Sequence, residues 1–271
     1  MQYRAPAKLN LFLHVIGRRP DGFHELETVF QLIDLHDVLT IDTRDDGRIV
    51  REPPPSDAVL KQLPDSTDLT VRAARLLQEQ SGIRLGASIH VEKHIPAGAG
   101  LGGGSSDAAT VLVALNGLWG LNWPVERLAA MGLTLGSDVP VFVHGRNAFA
   151  AGRGEQLLPL RVPSRWFLIV DAGVAVSTRE LFAAPELTRN TPPLTIRALP
   201  EDGGRNDFEP LVRTRYPQIE QVFTVLAPFG PRLTGTGGCV FTVFDTRVMA
   251  ETVAAGLPGQ WRTYVVRGID S

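Results

Sequence analysis

The sequence predicts an α+β protein with two lobes, and three observations lead there. At 271 residues the chain suits about two domains of ordinary size. Strand-like and helix-like segments alternate through both halves without a regular βαβ period. The stretch Arg161-Val162-Pro163-Ser164 interrupts that pattern and sets the expected boundary, giving residues 1–160 and 161–271. Hydrophobic residues make up 44%, enough to fill a core, and the net charge of −2 lacks the basic footprint of a nucleic-acid binder. A single cysteine, Cys239, leaves no internal disulfide and fits a cytoplasmic location; between glycines and Val240-Phe241 it reads as a small packing residue. The apolar run 9–16 is broken by Asn10 and His14, unlike a signal peptide, and no window approaches a membrane span.

The elements follow in order. Residues 6–16 alternate as a strand, with Leu9, Leu11, Leu13 and Val15 facing the core and Lys8, Asn10, Phe12 and His14 on an open face. Asp21-Gly22 marks a turn, residues 29–35 and 38–41 read as further strands, and Asp46-Gly47 is a hairpin signal. Pro53-Pro54-Pro55 reads as an exposed loop. A helix capped near Ser66 to Asp68 runs to Gly82. The strand 88–95 then enters a glycine-rich stretch that opens another helix. Pro124 begins a helix ending at Gly132, and residues 139–143 and 148–151 read as strands. The second half reads as strand 166–170, helices 178–183, 206–215 and 217–226, a strand entering Gly235, strand 240–244, helix 247–255 and strand 261–266.

The chemistry concentrates in the glycine-rich stretch: Pro96, Ala97, Gly98, Ala99, Gly100, Leu101, Gly102, Gly103, Gly104, Ser105 and Ser106. Glycines let backbone amides turn inward, and the helix behind them adds N–H groups and positive dipole, which together cradle a phosphate. The P-loop pattern fails because no lysine precedes the helix. The dinucleotide fingerprint matches at Gly98, Gly100 and Gly103 but lacks its acidic ribose partner. A second constellation is Leu135-Gly136-Ser137-Asp138-Val139-Pro140, a carboxylate at a glycine turn, where Pro140 is expected to disfavour a helix through Asp138. Phosphoryl transfer needs a group to take the acceptor's proton, and a lysine can keep that carboxylate ionised, so Lys8 and Asp138 form the natural pair. His24, beside Phe23 and behind a turn, suits a planar base; no H-E-x-x-H metal motif occurs.

With these motifs the chain resembles the GHMP kinases nearly end to end. The resemblance rests on Ala5-Pro-Ala-Lys8-Leu-Asn10, Asp21-Gly-Phe23-His24-Glu-Leu, the stretch 96–106, Gly132-Leu-Thr-Leu-Gly-Ser-Asp138-Val-Pro and Leu233-Thr-Gly-Thr236-Gly237-Gly-Cys239. It implies a two-lobed GHMP kinase fold, with an N-terminal lobe like ribosomal protein S5 domain 2 that binds ATP (1–160) and a ferredoxin-like, substrate-binding C-terminal lobe (161–271). It implies an enzyme that moves the ATP γ-phosphoryl group to the 2-hydroxyl of a methylerythritol carried on cytidine diphosphate, in the non-mevalonate supply of isoprenoids. Homoserine or mevalonate phosphorylation is the alternative. Asp138 would be the base and Lys8 its electrostatic partner. The glycine-rich stretch would hold ATP, with Asp68 bordering the adenine. Asn10, Phe23, His24, Thr178, Phe182, Thr236 and Gly237 would bind the small-molecule cytidyl diphosphate substrate, His24 at the base edge and Phe23 and Phe182 on its faces. Mg2+ is expected with ATP, Ser106 being the one candidate ligand. Phe23 and Asp68 depart from the family pattern, where tyrosine and asparagine are usual.

Overall fold

The computed structural model describes residues 1–52, 67–194 and 203–270. The proline run at 53–55 and Ser66 lie outside the described residues. The chain forms two compact units, one of Met1–Ala7, His36–Ile95 and Gly102–Gly145, the other of Lys8–Leu35, Pro96–Leu101 and Arg146–Ser271. Two long strands, β1 (Gln2–Arg18) and β2 (His24–Arg44), contribute to both. The two strands expected at 29–35 and 38–41 are therefore one. The second face of β1 is not open either: Lys8, Asn10, Phe12 and His14 are 3%, 3%, 1% and 7% exposed.

In the first unit, β4 (Gly86–Glu92) runs antiparallel to the end of β2, with Val38 opposite Glu92, and parallel to β3 (Ile49–Arg51) on its other side. The expected hairpin at Asp46-Gly47 is thus a turn whose second arm pairs elsewhere. A Cβ at Gly86 would lie 2.2 Å from the Arg48 carbonyl oxygen, so the missing side chain is what lets β4 come in beside that turn. Helix α1 (Leu69–Ser81) starts at Asp68, whose carboxylate accepts from Thr70 N, and ends at left-handed Gly82. It packs against α2 (Gly103–Leu118), and α3 (Val125–Leu133) and α4 (Val139–His144) pack there too. Val71, Leu77, Ile89, Leu112 and Leu115 are fully buried between these layers.

Residues 139–143, expected as a strand, are helix α4. Asp138 has helical backbone angles (φ −86°, ψ −12°), and Pro140 sits in the first turn, where its missing N–H is not needed. Every residue from Val139 to Val143 is buried, so no periodicity separated helix from strand.

In the second unit, the start of β2 pairs with β5 (Ala148–Gly152), which pairs with β6 (Gln156–Pro159). A separate antiparallel sheet has the order β10 (Arg262–Arg267), β7 (Trp166–Asp171), β9 (Cys239–Phe244), β8 (Arg232–Leu233). Counted along the chain this is 4-1-3-2. Helices α5 (Thr178–Ala183), α6 (Glu209–Arg215) and α7 (Pro217–Leu226) join its first two strands, and α8 (Arg247–Ala255) joins its last two. That is the ferredoxin-like arrangement. Its core gathers Leu168, Val170, Val212, Ile219, Val222 and Val240 with Leu13 and Val15 of β1. Cys239 is buried, and burial pushes its thiol well above the ordinary range.

Candidate active site

The glycine-rich stretch turns left-handed at every second position: φ is 68° at Gly98, 79° at Gly100 and 74° at Gly102. Between them Ala99 and Leu101 bury their side chains. Helix α2 begins at Gly103, so Gly103, Gly104, Ser105 and Ser106 form its first turn, and no side chain caps it. Glycine at 103 also eases packing, since a Cβ there would lie 3.1–3.3 Å from the side chains of Ile95 and Lys93. The Ser106 hydroxyl is wholly buried and has no hydrogen-bond partner among the described residues.

A second glycine turn packs on the first. Within the second unit, a Cβ at Gly100 would lie 2.5 Å from the Thr234 carbonyl oxygen, one at Gly235 2.9 Å from the Gly100 oxygen, and one at Gly238 2.7 Å from Ala99 Cα. Backbone therefore meets backbone from 98–101 to 234–238. β1 is stitched to the same place, because Lys8 N donates to Leu101 O (3.0 Å) and Asn10 N to Thr234 Oγ1 (3.0 Å). The Lys8 ammonium donates to Asn10 Oδ1 and lies 5.6 Å from the Phe30 ring centre, while Asn10 Nδ2 donates to Thr28 (2.9 Å). Asn206, which no motif marked, supports the turn by donating to Leu233 O and Gly235 O.

The other residues of this unit expected to bind substrate form pairs. The His24 ring lies 4.8 Å from Phe182, which meets Phe208 edge-on, and Thr178 and Thr236 share a hydrogen bond of 2.7 Å. Gly237 is left-handed, hemmed in by Val176 and Val212. Burial first, then the charges of Arg189 and Arg18, holds the His24 imidazole below its ordinary value, so it is neutral at pH 7. Phe23 is half exposed and carries the Arg153 guanidinium over its ring at 3.7 Å.

In the first unit, the turn bearing Asp138 lies against the start of α2: a Cβ at Gly136 would sit 3.6 Å from Ser105 Oγ. A Cβ at Gly132 would sit 2.6 Å from Val139 Cγ1, so α3 and α4 approach closely and fix the backbone beside Asp138. Asp68 accepts from Thr70 and from Arg51 Nε (2.9 Å), a pair that is nearly buried. Lys8 and Asp138 belong to different units.

Sequence reasoning passed over a buried triad beside the loop. Lys93 Nζ donates to Asp107 Oδ2 (2.7 Å) and to Asp37, which also accepts from His94 N and Ile95 N. The triad ties β2, the strand leading into the loop and helix α2 together. Its signal was a cation at the end of that strand and a carboxylate in the helix after the loop. Burial pushes the Asp107 carboxyl up to about 7, with Lys93 opposing and Asp37 adding to the rise. Folding therefore favours the protonated form. This carboxyl contributes stability that is full below its ordinary 3.8 and is lost as pH rises through about 7. Asp107→Asn should flatten that loss. Thermal melts of both proteins between pH 4 and 8 check it, and parallel pH profiles would refute it.

The left-handed glycine turn opening a helix, with a 4-1-3-2 lobe in the same chain, fits the class of small-molecule kinases of α+β build. The chain belongs to the GHMP kinase family: the profile described as "GHMP kinases N terminal domain" matches residues 68–146, and "GHMP kinases C terminal" matches 183–263. A protein of Alkalilimnicola ehrlichii called 4-diphosphocytidyl-2-C-methyl-D-erythritol kinase is 52% identical over 98% of this chain and 90% of its own. One of the same name from Pseudomonas paraeruginosa is 49% identical over 97% and 92%. The crystal structure of a 4-(cytidine 5'-diphospho)-2C-methyl-D-erythritol kinase matches with a TM-score of 0.83 and 34% identity, covering 99% of this chain and all of that one. No helix among the described residues is long and apolar enough to cross a membrane.

Proposed function

We propose that this chain transfers the γ-phosphoryl group of ATP to the 2-hydroxyl of 4-diphosphocytidyl-2-C-methyl-D-erythritol, a step of the non-mevalonate isoprenoid precursor route, in the cytoplasm. The observation that carries the reading is similarity along nearly the whole chain, at 52% and 49% identity, to proteins of that name. The chemistry of the side chains supports it. A neutral imidazole lying on an aromatic ring at His24 and Phe182 offers a hydrogen-bonding edge beside a stacking face, which a base needs and a small acid or polyol does not.

In this reading residues 1–160 carry the ATP site and also supply Asn10, Phe23 and His24 to the substrate, and 161–271 supply the rest of the substrate-binding residues. Pro96 to Ser106 hold the triphosphate on backbone amides, with Asp68 near the adenine. Asp138 accepts the proton of the attacking hydroxyl, and Lys8 steadies the negative charge around it. Asn10 holds the polyol or diphosphate, Phe23 and Phe182 stack the cytosine, His24 reads its edge, and Thr178, Thr236 and Gly237 line the substrate. Magnesium fits this chain with few protein oxygens and mostly phosphate ligands. Ser106 Oγ, buried and unpartnered among the described residues, is the suitable donor, and none of their His, Cys, Asp and Glu side chains form a three-ligand metal group. When bound, the ion neutralises charge on the phosphoryl oxygens.

The test is magnesium-dependent ADP release with the cytidyl compound, run beside homoserine, mevalonate and no acceptor. Release with the cytidyl compound alone is expected, and release with another acceptor in its place overturns the reading. His24→Ala should raise KM for the cytidyl compound about tenfold while KM for ATP stays nearly constant. Equal rises would assign His24 to structure alone.

A further inference from the structure

Arg189 binds one edge of the His24 ring. Its Nε–H donates to His24 Nε2 at 3.0 Å. Its other nitrogens donate to three carbonyls, Phe182 O (2.8 Å), Ala184 O (2.6 Å) and Leu187 O (3.1 Å). One guanidinium thus holds the imidazole and the C-terminal end of the helix that carries Phe182. The segment bearing Arg189 is itself pinned. Thr191 N donates to Val15 O, Thr191 Oγ1 to Asp207 Oδ2, and Leu194 N to Glu27 Oε2.

A guanidinium has donors and no acceptor. The ring nitrogen facing it must therefore present a lone pair, and a neutral imidazole then carries its proton on Nδ1. We infer that Arg189 is a positioning residue that fixes His24 as an Nδ1–H donor, so that the base site accepts a pyrimidine whose N3 is an acceptor and rejects one whose N3 carries a proton. Cytosine meets that demand. Uracil turns its own N3–H toward the same donor, leaving two buried donors unpaired. The burial of His24, and the Arg189 and Arg18 charges that face it, keep the ring neutral and so keep the distinction at physiological pH. The inference rests on the cytidyl reading above and adds the group that makes His24 selective.

Two measurements on the full chain test it. Long-range 15N spectra of the free protein at pH 7 should show His24 protonated at Nδ1 and bare at Nε2, and the opposite tautomer overturns the inference without any variant. Turnover of the cytidine- and uridine-diphosphate forms of the substrate should favour cytidine by about 10²-fold. Arg189→Met should cut that preference by about tenfold or more and mix the tautomers, with KM for ATP within twofold of wild type. Arg189→Lys, which can still donate to Nε2, should recover part of the preference. Equal wild-type turnover of both bases overturns the inference and leaves the kinase reading standing. Absence of turnover with the cytidyl form overturns both.

Discussion

Asp138→Asn is expected to lower kcat by about 10²- to 10⁴-fold while the Kd of ATP and of the acceptor stays within about threefold. The substitution is nearly isosteric and sits where the backbone is held by its neighbours. Gly132 admits Val139 at a distance no Cβ would allow, Pro140 sets the first turn of α4, and Gly136 lies on Ser105. An amide at 138 therefore keeps the turn, and it cannot take a proton. Single-turnover kinetics with isothermal titration separates the two effects. Unchanged kcat would remove Asp138 from the chemistry, and lost binding would make it a positioning group. Lys8 supplies a second check. If its ammonium acts on the same proton transfer, Lys8→Met and the double variant should fall to similar rates, because groups serving one step are not additive. Multiplicative losses would separate their roles.

What the sequence made legible was local and periodic. The strands 166–170 and 240–244 and the helices 178–183, 217–226 and 247–255 alternate cleanly, and each appears where expected. So does the glycine turn, because left-handed φ at Gly98, Gly100 and Gly102 is a property of the residues themselves. Three features needed the tertiary structure. The polar face of β1 is buried by partners such as Thr28 and Thr234, which are distant in sequence. Helix α4 is apolar on all sides, which erases the period that tells helix from strand. The short strand β3 finds β4 rather than its sequence neighbour β2, a choice made by a missing Cβ at Gly86. Among the candidate site residues, types with evident chemistry stood out, namely Lys8, Asp138 and His24. The groups that hold others in place, Arg189, Asn206 and Lys93, carry no motif, because their partners are backbone carbonyls and carboxylates scattered along the chain.

Lys93→Met should destabilise the protein by about 3–5 kcal/mol, the largest loss of stability expected from a single side chain here. The Lys93 ammonium is bonded to two carboxylates that water scarcely reaches: the Asp37 side chain is 0% exposed and that of Asp107 6%. Methionine fills a similar volume and removes the charge. Asp37 keeps two backbone donors, His94 N and Ile95 N, but Asp107 loses the charge opposing its desolvation. The deficit is then set by carboxyl ionisation, which gives it a sign with pH. With the ammonium gone, like-charge repulsion and burial raise the carboxyl further, so the deficit should be small near pH 5, where a proton replaces the cation, and should grow toward pH 8. Urea denaturation at both pH values reads this directly, and a loss independent of pH would point to packing rather than charge. The double variant Lys93→Met with Asp107→Asn should recover much of the stability at pH 8, because it removes the unpaired charge along with its partner. Through its hydrogen bonds the triad flanks the glycine-rich stretch, from His94 and Ile95 at the entry to Asp107 at the exit. Its loss should therefore raise KM for ATP in the single variant more than in the charge-matched double.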